Sequence, residues 1–93
     1  MSYVLIIHHV DDYSAWKRVF DDAAALRKAA GEIAFQLPHE ESTQTHLVHF
    51  SQWSDLAAAR EFFESEELAE IRRNAGVHPP AFLYLETIES GTL

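Results

Sequence analysis

Hydrophobic positions along the chain alternate between short strand-like runs and longer stretches with helical spacing. The first run, 3–10, carries aliphatic side chains at odd and even positions alike, as strands covered on both faces do. Further strands are predicted at 33–37, 44–53 and 81–88, and turn residues at 38–43 join the first two of these as a hairpin. The pattern therefore predicts a sheet of four strands.

Three helical segments are predicted between these strands, each with one apolar face. The first ends at Gly31 and the third at Gly76, since glycine readily takes the left-handed conformation that stops a helix. The residues predicted to cap the first turns are Asp11, Asp12 or Ser14 for the first helix, Ser54 for the second and Ser65 for the third.

The order β-α-β-β-α-β is that of the ferredoxin-like fold, an α+β class in which helices cover one face of a four-stranded antiparallel sheet. We predict a single domain of this kind over residues 1–93, and for its two central strands, the first and third, we expect a parallel pairing with matched ends. The uncovered face would be bare, yet the first and last strands are apolar on both faces. We therefore predict a homodimer in which two sheets cover each other.

Composition narrows the range of partners. A chain of 93 residues with 47% hydrophobic residues is typical of one globular domain. The net charge of -8 disfavours nucleic acid and anionic membrane surfaces as partners. There is no cysteine and no apolar run as long as a membrane span, and the chain starts in a strand, not in a signal segment. We expect a cytoplasmic protein.

Three motifs match a known pattern. Residues 9–21 read H-V-x-D-Y-x-x-W-x-x-x-F-D, residues 53–59 read W-S-D-x-x-x-A, and residues 75–80 read A-G-V-x-P-P. In these positions the chain resembles small bacterial proteins of the dimeric α/β-barrel superfamily, which are described as antibiotic-biosynthesis-monooxygenase-like or cyclase-like. The resemblance covers nearly the whole chain and implies a dimer with a pocket between helices and sheet in each subunit.

The resemblance does not select a reaction. The superfamily includes cofactor-free monooxygenases of aromatic polyketides, polyketide cyclases, lactone isomerases, haem-degrading enzymes and members without a known activity. For this chain it implies binding of a small aromatic or polyketide-like compound by a cofactor-independent monooxygenase or cyclase. The alternative is a non-enzymatic ligand-sensing or dimerisation module, and the sequence leaves open whether the protein is an enzyme.

Adjacent histidines mark the end of the first strand. Because neighbouring strand residues point to opposite faces, His8 and His9 cannot act together on one ligand. The sequence leaves open which of them faces the pocket, and the family pattern favours His9. We expect His9, with His49 beside it, to act as an acid or base on the pocket floor, because imidazole titrates near neutral pH. The alternative is a half-buried histidine pair that only hydrogen-bonds within the fold.

Aromatic residues predict an apolar pocket for a flat ligand. The predicted lining residues are Trp16, Phe20, Trp53, Phe62 and Tyr84. A cavity into which His9 opens would favour an enzyme, whereas an interior filled by Phe20 and Phe62 would favour the non-enzymatic module. The histidine spacing is not that of a metal site, and no nucleotide-binding or acyl-enzyme motif is present, so we expect neither a metal nor a cofactor.

Overall fold

The computed structural model describes residues 1–78 and 80–93, which form an antiparallel sheet covered on one face by helices. The strands are β1 (Ser2–His9), β2 (Glu32–Gln36), β3 (His39–Glu40), β4 (Thr43–Trp53) and β5 (Ala81–Glu86). The helices are α1 (Tyr13–Asp22), α2 (Ala24–Ala30), α3 (Leu56–Phe63) and α4 (Glu66–Asn74). Pro79, which belongs to the A-G-V-x-P-P motif and is expected to favour an extended entry into the last strand, lies outside the described residues.

The strands follow the order β2-β4-β1-β5, and the short β3 pairs with β4 beside this path. All pairings are antiparallel, so the predicted ferredoxin-like class is confirmed, with the two-residue β3 as an addition. β1 lies between β4 and β5, and its residues therefore occupy the centre of the sheet. Among the helices described, none combines the length and the apolar character needed to cross a membrane.

The expected parallel pairing of the two central strands is wrong. β1 and β4 run antiparallel, with Ser2 opposite Trp53 and His9 opposite His46. The helices between β1 and β2 return the chain so that β2 has the direction of β1, and the hairpin then reverses it. Residues at the end of β1 therefore lie opposite the beginning of β4.

Side-chain alternation divides the sheet into a helix-covered face and an outer face. Val4, Ile6 and His8 are buried beneath the helices, because every second residue of β1 points to that side. Buried residues of this face belong to two apolar clusters, one that includes α3 and α4 and one that includes α1. The outer face consists of Tyr3, Leu5, Ile7 and His9 of β1, His46, Val48 and Phe50 of β4, and Leu83 and Leu85 of β5.

The helix boundaries differ from the predicted ones at two points. The first predicted helix is divided at Ala23 into α1 and α2. The cap of α3 is Asp55, whose carboxylate accepts a hydrogen bond from the Ala58 amide at 2.7 Å, and the expectation that Ser54 caps this helix is wrong. Ser65 caps α4 as predicted, and among the three alternatives for the first helix the cap is Asp12.

Candidate functional site

A cavity lies between the sheet and the helices, and its wall is mostly apolar. Its polar lining residues are His8, Arg27, His49 and Arg72, and the aromatic ones are Trp16, Phe20, Phe62 and Phe63. The empty space measures about 490 Å³ up to the open mouth, and the centre of a water molecule can move through about 60 Å³ of it. The larger figure includes open solvent at the mouth, and small-molecule sites commonly measure roughly 300–1,000 Å³. The enclosed part of this cavity is therefore smaller than a typical small-molecule site.

A buried carboxylate, that of Glu32 at the start of β2, organises the polar side of this wall. Its side chain is 6% exposed and accepts a hydrogen bond from Arg27 Nε at 2.7 Å and one from His49 Nε2 at 2.8 Å. The Ser51 hydroxyl donates a third hydrogen bond to the same carboxylate. Three donors thus satisfy a charge that would otherwise be costly to bury.

The protonation state of Glu32 fixes the tautomer of His49. Burial alone would raise the pKa of the Glu32 carboxyl, but hydrogen bonds from His49, Ser51 and Arg27 outweigh burial and lower this pKa below its ordinary value. Glu32 is therefore ionised and can only accept, so His49 Nε2 must carry the hydrogen. In the neutral ring the Nδ1 lone pair of His49 then remains, and no described residue hydrogen-bonds to that atom.

Three further contacts hold this cluster in place, two made by Arg27 and one made by Trp53. Arg27 donates through Nη1 to the Phe20 carbonyl, and its guanidinium lies 3.7 Å from the centre of the Phe20 ring. On the other side, Trp53 Nε1 donates to Ser51 Oγ at 2.6 Å. Trp53, Ser51 and Glu32 therefore form a continuous chain of hydrogen bonds that orients the carboxylate toward His49.

His8 lies on β1 beside this cluster and lines the same cavity. It is 6% exposed, and its Nδ1 is buried without a hydrogen-bond partner among the described residues. Burial lowers the pKa of His8 to about 3, and electrostatic interactions with the neighbouring His49 and Arg72 side chains act in the same direction. The ring is therefore neutral at ordinary pH, with one donor and one acceptor nitrogen.

The expectation that His9 lies on the pocket floor is wrong. His8 points to the cavity, so alternation along β1 directs His9 to the outer face, where it is exposed. The His9 ring lies 4.2 Å from the ring of His46, which itself hydrogen-bonds Glu40 at 2.7 Å. His9 and His49 therefore lie on opposite faces of the sheet and cannot contact one ligand.

The five aromatic residues predicted to line the pocket fall into two groups. Trp16, Phe20 and Phe62 lie on the cavity wall and do not fill the cavity. Trp53 is fully buried in the neighbouring apolar cluster, where its indole contributes the hydrogen bond to Ser51. Tyr84 lies on β5, away from the cavity, and its hydroxyl donates to Glu64 at 3.1 Å.

Several residues of the site were not found from the sequence, namely His8 as the inward histidine, Arg27, Glu32, Ser51 and Arg72. A signal for the carboxylate is present in β4, where His49, Ser51 and Trp53 occupy alternate positions on one face. Three hydrogen-bonding side chains on a buried face require a partner. The partner is Glu32, which lies beside a register shift in β2 that strand alternation does not predict. Within 1–78 and 80–93, no group of three or more His, Cys, Asp or Glu residues is arranged to hold a metal ion.

Comparisons with known proteins identify the fold. No family model matches the sequence, and no curated protein does either. The fold is similar to that of a candidate antibiotic biosynthesis monooxygenase of Deinococcus radiodurans, with a TM-score of 0.71 and 15% identity over 100% of this chain and 98% of that one. A second candidate monooxygenase of this kind, from Bordetella bronchiseptica, gives a TM-score of 0.74 and 14% identity over 95% and 98%.

A third solved structure contains a ligand. It is a monooxygenase of Streptomyces coelicolor in complex with nanaomycin D, and it matches with a TM-score of 0.64 and 17% identity over 99% of this chain and 90% of that one. At these identities the similarity establishes the fold. The predicted resemblance to antibiotic-biosynthesis-monooxygenase-like proteins is confirmed at that level.

Proposed function

We propose that the cavity binds a small aromatic molecule with an ionisable hydroxyl group, and that His49 accepts the proton of this hydroxyl. The observation that carries the proposal is the buried Glu32–His49 pair on the wall of an apolar cavity. A carboxylate that holds one ring nitrogen as a donor leaves the other as a base, and it stabilises the imidazolium formed when the base takes a proton. The aromatic wall supplies the surface on which a flat ring packs.

The reaction that this arrangement supports best is cofactor-independent oxygenation of an electron-rich phenol. Transfer of the hydroxyl proton to His49 Nδ1 gives a phenolate, and an electron-rich ring carbon of this phenolate forms a bond to one atom of dioxygen, the oxidant. Loss of the hydrogen from that carbon and cleavage of the O–O bond then give a quinone, and the second oxygen atom leaves as water. The fold is that of structures described as antibiotic biosynthesis monooxygenases, one of which holds nanaomycin D. Cyclisation of a polyketide-like chain would begin with removal of a C–H proton next to a carbonyl by the same base, and the proposal therefore rests on the base.

Binding and turnover are tested with naphthol and dihydroxynaphthalene. We expect both compounds to raise the melting temperature, because a ligand at about one hundred times its Kd stabilises the native state by about 2.7 kcal/mol. We expect oxygen uptake with dihydroxynaphthalene to fall by a factor of about 10²–10⁴ in His49→Gln, the usual contribution of a general base. His9→Gln is the matched control and keeps the wild-type rate.

The three possible failures have different meanings. Binding without oxygen uptake or cyclisation would favour the non-enzymatic ligand-sensing module. Loss of oxygen uptake in His9→Gln, with normal oxygen uptake in His49→Gln, would show that His9 is the acid or base. No binding of either compound would overturn the proposed site.

We also propose that two copies pair through their outer faces. Leu83 and Leu85 are 53% and 38% exposed, and Tyr3 stacks on Phe50 at 5.0 Å in the same surface. An apolar face of this extent on a small protein is commonly an interface, and a second copy offers a complementary one by two-fold symmetry. The helices of each copy would then cover the other face, which is the arrangement of a dimeric α/β barrel.

A further inference from the structure

We propose that the ligand of this cavity is an aromatic carboxylate, whose anionic group pairs with Arg72 and accepts a hydrogen bond from His8. This inference rests on the proposed function and adds the chemical class of the ligand to it. The hydroxyl group would lie toward His49 and the carboxylate toward Arg72.

Arg72 provides the positive charge. It is half-buried on α4 and lines the cavity, and Nη2 donates to the Phe63 carbonyl at 3.1 Å. No carboxylate of the described chain lies within ion-pair distance of it, in contrast to Arg27, which is neutralised by Glu32. Burial lowers the pKa of the Arg72 guanidinium, which means that its charge is poorly solvated. An anion in the cavity would compensate for this lost solvation.

His8 provides the second contact. It lines the cavity, is almost fully buried, and makes no hydrogen bond to any described residue. Nδ1 is shielded from solvent, so the ring nitrogen that can meet a ligand in the cavity is Nε2. Buried polar groups are usually hydrogen-bonded, so a histidine ring without a partner calls for an explanation, and an acceptor on the ligand would supply one. A neutral imidazole has one N–H, and a carboxylate is a strong acceptor for it.

The charge distribution around the cavity favours an anion over a cation. The protein carries a net charge of -8, yet the polar residues that line the cavity are two arginines and two histidines, with no aspartate or glutamate among the lining residues described. Glu32 contacts the cavity only through its partners and is held by three donors. Because Glu32 neutralises Arg27 and the His8 ring is neutral, the arginine charge left without a carboxylate partner among the described residues is that of Arg72, which attracts a small anion and repels a cation.

The experiment compares a hydroxynaphthoate with the hydroxynaphthamide of the same substitution pattern. The two probes have the same rings and hydroxyl group and differ only in the charge of the second substituent. Their Kd values are measured by isothermal titration calorimetry for the wild type, Arg72→Gln and Arg73→Gln. Arg73 is the matched control, because it is the next residue of α4 and is exposed.

We expect the wild type and Arg73→Gln to bind the acid at least about tenfold more tightly than the amide, as charge-assisted hydrogen bonds imply. In Arg72→Gln this preference disappears. Equal affinity of the wild type for the two probes would overturn the inference and leave the proposed aromatic site standing, and so would a preference that survives in Arg72→Gln. Failure of both probes to bind would overturn the inference and the proposed site together. Equal affinity of the wild type for the two probes overturns the inference even if Arg72→Gln does not fold.

Discussion

His8 is the residue whose burial has the clearest consequence for stability. Its pKa is about 3 in the folded protein and 6.5 for an unperturbed histidine, because burial and interactions with His49 and Arg72 oppose protonation. Between these values the unfolded chain binds a proton that the folded protein does not bind. The folded state therefore loses stability as the pH falls below 6.5.

We predict that unfolding free energy decreases by about 3 kcal/mol between pH 6.5 and about pH 4 through His8, at about 1.36 kcal/mol per pH unit. Urea unfolding across this range, at one protein concentration, measures the effect. His8→Gln should remove a slope of about one proton, whereas the exposed His39→Gln should leave the slope unchanged. Equal slopes in the wild type and His8→Gln would show that His8 is not buried in a neutral state.

Only part of this site could be predicted from the sequence, namely His49 and the aromatic residues Trp16, Phe20 and Phe62. The sequence showed that His8 and His9 point to opposite faces, but not which one points inward, because a shift of register by one residue exchanges the two faces. The family pattern then favoured the wrong histidine for the pocket. Glu32 could not be located because its position depends on a register shift in β2, although the polar residues along β4 required a buried partner.

The secondary-structure elements were predicted well where their signals are local. Strands follow from apolar runs between turn residues, and the caps Asp12 and Ser65 follow from side chains that accept from the first helical turn. The division of the first helix at Ala23 has no such signal, because no proline or glycine lies there. The direction of β4 relative to β1 was predicted wrongly, although the element order determines it.

Ser54 and Asp55 are neighbours, and either side chain could in principle cap α3, so substitution of each one tests which of them does. We predict that Asp55→Ala lowers unfolding free energy by about 1 kcal/mol, because Asp55 accepts from the Ala58 amide, and that Ser54→Ala lowers it by less than about 0.5 kcal/mol. Denaturant unfolding of the two variants measures both values. A larger loss in Ser54→Ala would show that the helix begins one residue earlier.

At the scale of the whole molecule, the outer face decides the state of association. A sheet with helices on one side and apolar residues on both sides leaves apolar side chains such as Leu83 and Leu85 exposed on its outer face, and such faces are commonly interfaces. The sequence predicted this feature, because alternating and continuous apolar patterns distinguish one covered face from two. A pocket between helices and sheet was also predicted, but its polar lining was not, because that lining depends on how the helices pack over the other face.

We predict that Leu5→Glu converts the proposed dimer into a monomer. Leu5 lies on the outer face opposite Leu83 and Phe50, so a buried carboxylate would oppose pairing of two faces without disturbing the helix-covered core. Ala57→Glu, on the exposed side of α3, is the control and should leave the dimer intact. Light scattering coupled to size-exclusion chromatography measures the mass. A wild type that is monomeric at micromolar concentration would contradict the proposed interface.

The most direct test of the site is a histidine ¹⁵N NMR titration with the tightest-binding naphthol derivative. We predict that free His49 has its hydrogen on Nε2 and that His8 is neutral. We also predict that added ligand shifts the ring signals of these two histidines and leaves those of His9, His46 and His78 in place. Shifts confined to His9 and His46 would contradict the account, because they would place the ligand on the outer face of the sheet.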